Sequence, residues 1–447
     1  MQFTMNSPNR NNDRYLVLYF QVHQPRRLQS VNFFDIPKEP NYFNDELNES
    51  VIRRVAAECY LPTNQLLLEL IEHMPNIRIS FSMSGIVLEQ LERYAPDALE
   101  SFQELARTGA VEFLGETYYH SLASLVDGDE FETQVLHHAG KIQEVFGLRP
   151  SVFRNTELIY NDTIGERVAR LGFHAIFTEG HESILGDKTP HDLYRHPEFG
   201  HLKIFLRNYQ LSDDIAFRFI QNGSRLEVQQ FLHWLYSVPE EHRLVTLAMD
   251  YETFGEHHKS NSGILQFLGD MFTAVIRDSE FTLEHPSRVL KHLAGNTPLS
   301  MKNYLSWGDT ERDLSAWLGN DMQKDAFHTL MRLEGEVKSA RHSGYLKCWR
   351  YLQTSDHFYY MSTKADNDGS VHSYFSPFPS AYEAFISFMN AVSNMSARLH
   401  SSSDEPAHDK SDQSSSEAER QEVKAGTPVW VMNLESVPHG NVPGSEN

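Results

Sequence analysis

Polar and ionisable side chains follow four apolar, strand-like runs of the 447-residue sequence, at the point where each run ends. In a parallel barrel, reacting groups lie at these carboxyl ends, because the loops after the strands share one face. We therefore interpret the four segments as parts of one active site. They are His23-Gln24-Pro25, Gly115 to His120, Arg154 to Glu157, and Asp250 to His258.

Glu157 and Asp250 are the carboxylates best placed for chemistry. Glu157 lies beside Arg154 and Asn155, which could hold it ionised; the alternative is an ordinary acid in the first turn of a helix. Asp250 directly follows an apolar run, where burial would raise its pKa and suit it to proton donation; the alternative is a helix cap. Two carboxylates across a barrel mouth fit glycoside hydrolysis, in which one attacks or stabilises the anomeric carbon and the other protonates the leaving oxygen.

Aromatic side chains near these segments are candidate platforms for sugar rings, since aromatic faces stack on the apolar faces of sugars. Each alone is more often a core residue than a ligand platform. The candidates are Tyr118, Tyr119, Tyr251, Phe254, Trp307 and Trp317.

The 23 histidines offer a rival interpretation. His23, His120 and one of the pair His257-His258 could join Asp250 in a metal site of the kind that polysaccharide deacetylases use. Adjacent histidines point in different directions, and the sequence contains no HExxH or equivalent metal spacing. A protein that binds a carbohydrate without catalysis is a third possibility.

The elements that must position these residues alternate between strand and helix patterns over residues 14–300. This alternation predicts a parallel α/β fold, and so many units favour a closed barrel. The open doubly wound alternative usually has a glycine-rich turn after its first strand, and no glycine follows Val22. The strand candidates are Leu16 to Phe20, Ile77 to Met83, Ala110 to Leu114, Ser151 to Phe153, His174 to Phe177, Leu202 to Phe205 and Leu244 to Met249.

The rest of the chain divides by composition. Segments 311–333, 335–355 and 379–398 have helical patterns, and only Phe358 to Met361 resembles a strand there. From residue 401 onward the chain is rich in serine and acids, which predicts disorder. We predict a flexible N-terminus over 1–13, a catalytic barrel over 14–309, a helical subdomain over 310–400 that completes the active site, and a disordered tail over 401–447.

The charge balance excludes some classes of binding partner. With 61 acidic and 39 basic side chains the net charge is −22, which argues against nucleic acid and anionic membranes. No apolar stretch approaches the length of a membrane span, and no secretory signal is visible. We therefore expect a cytoplasmic protein with a neutral ligand, a metal ion or a basic partner.

Taken together, five short segments resemble the five regions that describe glycoside hydrolase family 57, the family of α-amylases and α-glucanotransferases. Each segment alone is weak, but five in the right order over about 300 residues are a strong resemblance. They are His23-Gln24-Pro25; Gly115 to His120; Phe153 to Leu158; Met249 to His257; and Ser306 to Arg312 together with Trp317 to Asn320.

The resemblance implies an incomplete (β/α)7 barrel followed by a helical segment, and a retaining mechanism on α-1,4-glucans without a metal or other cofactor. It makes Glu157 the nucleophile and Asp250 the general acid/base. It also implies that His23, Glu116, His120 and Trp307 line the sugar subsite, with the histidines donating hydrogen bonds to hydroxyls. Tyr251, Phe254 and Asp309, from the fourth and fifth regions, complete the expected binding residues. Hydrolysis and transfer to a second glucan remain alternatives, and the oligomeric state is open.

Overall fold

Seven parallel strands carry the fold in the computed structural model, which describes residues 14–30, 41–278, 280–340 and 343–403. Each strand begins at, or within two residues of, its predicted start. The α/β class is confirmed. The strands are β1 (Tyr15–Val22), β2 (Ile79–Met83), β3 (Val111–Phe113), β4 (Val152–Arg154), β5 (Ala175–Glu179), β6 (Lys203–Arg207) and β7 (Leu244–Asp250).

The seven strands lie in two sheets and are parallel within each, whereas the short strand Tyr194–Arg195 runs antiparallel to β6. The first has the order β7-β1-β2-β3, and the short strand Thr282–Leu283 also pairs with β1. The second contains β4, β5 and β6, and continues through Tyr194–Arg195 to Thr297–Pro298. An antiparallel hairpin, Ile220–Gln221 with Ser224–Arg225, stands apart from both sheets.

Hydrogen bonds join both edge strands of the first sheet, β3 and β7, to the second sheet. The backbone of Gly115, just after β3, donates to the Val152 carbonyl at 2.9 Å and accepts from Arg154 at 2.8 Å. At the other edge, Asn208 after β6 donates to the Thr246 carbonyl of β7 at 2.8 Å. The carboxyl ends of strands from both sheets therefore lie together.

Strand β1 is buried along all eight residues, which explains its continuous apolar run. Alternate side chains point to opposite faces of a strand. Leu16, Leu18 and Phe20 join one apolar cluster with the surrounding helices, whereas Val17 and Tyr19 join another with residues of β4, β5 and β6. The second sheet therefore covers the face of β1 that the helices leave open.

Helices connect and cover the strands. Leu66, Leu67, Leu70 and Ile71 lie on one side of a helical pattern, which predicts a helix over Val51 to His73. In the structure this helix begins earlier, at Asp45, and passes through a π turn at Ala56–Tyr60. Four helices of this region were not predicted, namely Gly85–Tyr94, Glu182–Leu185, Tyr209–Ala216 and Pro286–Val289. The helices of the first 300 residues are Asp45–Val55, Leu61–His73, Gly85–Tyr94, Pro96–Arg107, Glu130–Phe146, Asp162–Arg170, Glu182–Leu185, Tyr209–Ala216, Val228–Tyr236, Ile264–Asp278 and Pro286–Val289.

In the described part of the chain, every element after Thr297–Pro298 is a helix. The tentative strand at Phe358 to Met361 is wrong, because Phe358 lies within the helix Ser355–Tyr359 and packs against Phe327 and Phe388. These helices are Ser315–Leu318, Asp321–Arg332, Glu334–Ser339, Ser343–Leu352, Ser355–Tyr359, Asp366–Phe375 and Ala381–Ser403.

The C-terminal helices share an apolar cluster with the second sheet, which contains Phe153, Ile204 and Phe358 among others. One compact unit accordingly extends to Leu399. Among the described residues, no helix has the length and apolar character needed to cross a bilayer. The predicted flexible N-terminus, and the predicted tail from residue 404 onward, lie outside the described residues.

Candidate functional site

A cavity of about 380 Å³ opens at the carboxyl ends of the strands and contains both predicted catalytic carboxylates, Glu157 and Asp250. Four of the predicted binding residues also line it, namely His23, His120, Trp307 and Asp309. The wall contributed by the C-terminal region contains Asp356, Tyr359, Tyr360, Val371 and Phe375. The structure therefore brings the predicted segments together with side chains of the 310–400 region, for which the motifs named no individual residue beyond Thr310 to Arg312 and Trp317 to Asn320.

Glu157 lies in a single 3-10 turn, Thr156–Leu158, directly after β4. Its φ of 57° is in the left-handed region, which a non-glycine residue adopts only where surrounding contacts hold it. Trp307 Nε1 donates to Oε2 at 2.8 Å, and Ser355 Oγ donates to Oε1 at 2.7 Å. These two bonds fix the plane of the carboxylate.

His120 links Glu157 to the fully buried Glu116. Its Nδ1 lies 3.0 Å from Glu116 Oε2, and its Nε2 lies 3.4 Å from Glu157 Oε1. Burial opposes a charged ring, but these two carboxylates raise the pKa of His120 to about 9. Burial would raise the pKa of Glu116, yet the hydrogen bond and charge of His120 lower it to about 2. A cationic ring therefore stands between two carboxylates.

The charge of His120 keeps Glu157 ionised. Burial alone would raise the pKa of Glu157, but the hydrogen bond and charge of His120, followed by the charge of Arg154, lower it. An ionised carboxylate is the form in which a glutamate can attack carbon. The geometry thus suits Glu157 to the role of a nucleophile.

The pKa of Asp250, the last residue of β7, is shifted in the opposite direction. Burial and the negative charge of Glu157 raise the pKa of Asp250 to about 6, against the lowering effect of Arg154 and His120. A carboxyl group with this pKa can hold a proton and release it near neutral pH. Two carboxyl groups in one cavity are therefore driven toward different protonation states.

Glu252, two residues beyond Asp250, faces the same cavity and is also buried. Its Oε1 accepts hydrogen bonds from Tyr60 at 2.5 Å and from the backbone of His23 at 3.4 Å. Burial and the charge of Asp250 raise the pKa of Glu252 to about 8. Glu256, in contrast, is an ion-pair partner of Arg54 and Lys259 outside the cavity lining.

His23 has a defined orientation. Its Nδ1 lies 2.8 Å from Ser84 Oγ, and its Nε2 lies 3.0 Å from Asp356 Oδ2. Burial and the charge of His120 lower the pKa of His23, although Asp356 raises it. A neutral ring that donates from Nε2 to Asp356 and accepts from Ser84 satisfies both contacts.

Two buried arginines place positive charge under the cavity. Arg154 is fully buried at the end of β4, lies 4.8 Å from the centre of the Trp307 ring, and has three nitrogens without a hydrogen-bond acceptor among the described residues. Arg207, at the end of β6, pairs with Glu179 at 2.9 Å and with Asp213. Arg312 bonds the same two carboxylates. This network ties the loop that follows Trp307 to the second sheet.

Three predicted binding residues lie outside the cavity lining. Tyr251 and Phe254 lie in the apolar core beside Phe20 rather than in the cavity, because the turn after β7 directs their rings toward the helices. The Tyr251 hydroxyl donates to Asn64 at 2.6 Å. Neither ring is available to a sugar in this cavity. Glu116 is fully buried behind His120 and does not line the cavity.

Asp309 lines the cavity, but its carboxylate is already engaged. Lys364 lies 2.7 Å from Oδ2, and His372 lies 3.1 Å from the same oxygen. Burial would raise the pKa of Asp309, but the hydrogen bonds from His372 and Lys364 lower it. The carboxylate thereby anchors the C-terminal region to the loop after Trp307.

Sequence reasoning missed Ser355, Asp356, Arg207 and Asp213. Arg207 follows an apolar strand, so the rule that identified Glu157 and Asp250 would also have found it. Asp356 and Ser355 begin a short helix about 200 residues after Glu157, and no local pattern marks them. Across the described chain, no group of three or more His, Cys, Asp or Glu side chains is arranged to hold a metal ion.

An ionised and a protonatable carboxyl group in one cavity are the pair that enzymes acting on glycosidic bonds use. Residues 17–302 match the model of glycosyl hydrolase family 57. Over 388 residues the chain is 40% identical to a Methanocaldococcus jannaschii protein named "Putative alpha-amylase", covering 83% of this chain and 82% of that protein. The chain therefore belongs to glycosyl hydrolase family 57, and the resemblance found in the motifs is confirmed.

Two solved structures share the fold. A family 57 branching enzyme from Thermococcus kodakaraensis aligns with a TM-score of 0.65 at 14% identity, covering 93% of this chain and 94% of that one. The 4-alpha-glucanotransferase from Thermococcus litoralis aligns with a TM-score of 0.56 at 14% identity, covering 85% of this chain and 59% of that one. At this identity the likeness is one of fold.

Proposed function

We propose that this chain is a retaining enzyme of α-1,4-glucans, with Glu157 as nucleophile and Asp250 as general acid/base. The observation that carries the proposal is the contrast between the two carboxyl groups in one cavity. His120 and Arg154 lower the pKa of Glu157, whereas burial and Glu157 itself raise the pKa of Asp250. A nucleophile and an acid are what a retaining mechanism requires at the start of the reaction.

In the first step, a Glu157 oxygen attacks the anomeric carbon while the bond from that carbon to the leaving glucan oxygen breaks. Asp250 gives its proton to the leaving oxygen, so that the glucan departs neutral. Trp307 and Ser355 hold the carboxylate of Glu157 in position during the attack. The product is a covalent glycosyl ester on Glu157.

In the second step, the Asp250 carboxylate removes a proton from a water molecule or a sugar hydroxyl, whose oxygen attacks the same carbon. The ester bond to Glu157 breaks, and both residues return to their starting states. Water gives hydrolysis, and a glucan hydroxyl gives transfer. Because a glucan hydroxyl can take the place of water in this step, 4-α-glucanotransferase activity is the second candidate function.

We further propose that the seven strands form an incomplete (β/α)7 barrel, with the helices after residue 310 completing its mouth. The backbone bonds of Gly115 and Asn208 across the two sheet edges support closure. From those later helices, Asp356 lines the cavity and Ser355 donates a hydrogen bond to Glu157. The catalytic machinery would then require both parts of the chain.

The test is turnover of maltoheptaose by the wild type and by Glu157→Gln, with products resolved by chain length. The wild type should convert the substrate, and Glu157→Gln should lose at least about a thousandfold in kcat, since no covalent ester can form. Unchanged activity in that variant would refute the assignment. Maltotriose decides between the two activities, because products longer than the substrate require transfer.

A further inference from the structure

Exposed apolar side chains stand at the mouth of the cavity. Phe217 is 63% exposed and Phe375 is 38% exposed, and both line the cavity that contains Glu157 and Asp250. Val371, also 38% exposed, lies beside them in the lining. Large apolar side chains grouped at the entrance of a cavity typically mark a contact surface for a ligand.

A single turn after β7 connects the two phenylalanines. Gly255 donates to the His258 carbonyl at 3.0 Å, and His258 Nε2 lies 2.9 Å from the carbonyl oxygen of Ala216, the neighbour of Phe217. Gly255 has a φ of 129°, and any larger residue would collide with the backbone of Glu58. The turn therefore holds its position next to Phe217.

The same turn reaches Phe375 through His257. The two rings meet edge to face, with centroids 5.5 Å apart and an interplanar angle of 70°. His257 also lines the cavity. Burial lowers the pKa of His257 to about 4, so its ring is neutral and offers one donor and one acceptor.

We propose that Phe217, His257, Val371 and Phe375 form a mouth platform that binds glucose units of the glucan chain where it leaves the cavity. Sugar rings present apolar C–H faces with hydroxyls at their edges, which matches phenyl faces beside a neutral imidazole. The cavity itself is near the lower end of the size range for ligand pockets, so a longer chain must cross the mouth. The inference rests on the proposed glucan substrate.

The test measures binding to Glu157→Gln, in which substrate is not consumed, by titration calorimetry with maltotriose and maltoheptaose. Phe217→Ala and Phe375→Ala are added to this background. Each should weaken maltoheptaose binding about tenfold through lost apolar contact, and should weaken maltotriose binding less. Phe217→Tyr, which keeps an aromatic face, should retain most of the affinity.

The matched control is Tyr382→Ala. Tyr382 is 64% exposed, as Phe217 is, but does not line the cavity. The platform would be overturned if Phe217→Ala and Phe375→Ala lost no more affinity than the control. It would also be overturned if they lost as much affinity for maltotriose as for maltoheptaose. Failure of Glu157→Gln to bind maltoheptaose would do the same.

Turnover of maltoheptaose by the wild type keeps this test separate from that of the proposed function. If the wild type converts maltoheptaose while the phenylalanine variants match the control, the function stands and the platform fails. If the wild type converts no glucan but binds maltoheptaose through Phe217 and Phe375, the platform stands and the catalytic proposal fails.

Discussion

The imidazole rings of His23 and His120 stack with their centroids 3.9 Å apart and an interplanar angle of 21°. Their protonation differs because their partners differ. His120 lies between Glu116 and Glu157, which raise its pKa to about 9. Burial and the nearby charge of His120 lower the pKa of His23. The pair thus provides one cation, directed at Glu157, and one neutral ring.

Replacing His120 should change the acidic side of the pH profile. Without the cation, the pKa of Glu157 rises, so the enzyme must reach a higher pH before Glu157 is ionised. We expect His120→Gln to lower kcat/KM by about a hundredfold and to move the acidic limb upward. His73→Ala, an exposed histidine outside the cavity lining, should change neither quantity. An unshifted limb in His120→Gln would contradict the role of the cation.

The alkaline limb of the pH profile of kcat/KM should reflect the titration of Asp250. Activity requires this group protonated, and its pKa is about 6, so kcat/KM should fall as pH rises through that value. The pH optimum of kcat/KM should therefore lie below pH 6, between the pKa values of Glu157 and Asp250. Asp250→Asn cannot titrate and should lose activity by about a thousandfold. Constant kcat/KM from pH 5 to pH 8 in the wild type would argue against Asp250 as the acid.

Trp307→Phe should test the hydrogen bond to the nucleophile. The variant keeps a ring over Arg154 but loses the Nε1 donor 2.8 Å from Glu157 Oε2. A hydrogen bond to a charged group contributes about 1.5–3 kcal/mol, so we expect kcat to fall about ten- to a hundredfold.

Trp317→Phe is the matched control for that change. Trp317 lines the same cavity, and its buried Nε1 has no hydrogen-bond acceptor among the described residues. Losing this nitrogen should cost kcat less than threefold, measured on maltoheptaose. Equal losses in the two variants would mean that ring size, and not the bond to Glu157, matters.

The buried network around Arg207 should contribute to stability. Glu179 is fully buried and bonds Arg207 at 2.9 Å, so Glu179→Ala leaves a buried guanidinium short of a partner. Breaking such a pair costs about 3–5 kcal/mol in the free energy of unfolding. Glu227→Ala, which breaks an exposed pair with Arg225, should cost less than about 1 kcal/mol. Urea denaturation of both variants checks the difference, and similar losses would contradict it.

Local sequence patterns predicted the strands and the candidate site residues that directly follow them. An apolar run of strand length has few structures open to it, and a parallel strand presents its next residues at the carboxyl edge. For this reason the sequence alone predicts that Glu157, Asp250, His23 and His120 lie together, and all four line the cavity. The helix Tyr209–Ala216 was missed, since its pattern is short and mixed.

The sequence by itself determined the α/β class, the family and the two carboxylates, because these follow from short runs and from residues next to one another. Only the tertiary structure decided which groups tune those carboxylates. Asp356 contacts His23 although 333 positions separate them in the sequence, and Ser355 donates to Glu157 although 198 positions separate them. The tertiary structure also places the ring of Tyr251 in the apolar core rather than in the cavity. Burial and charge act through space, so pKa values and cavity walls depend on contacts that no local pattern contains.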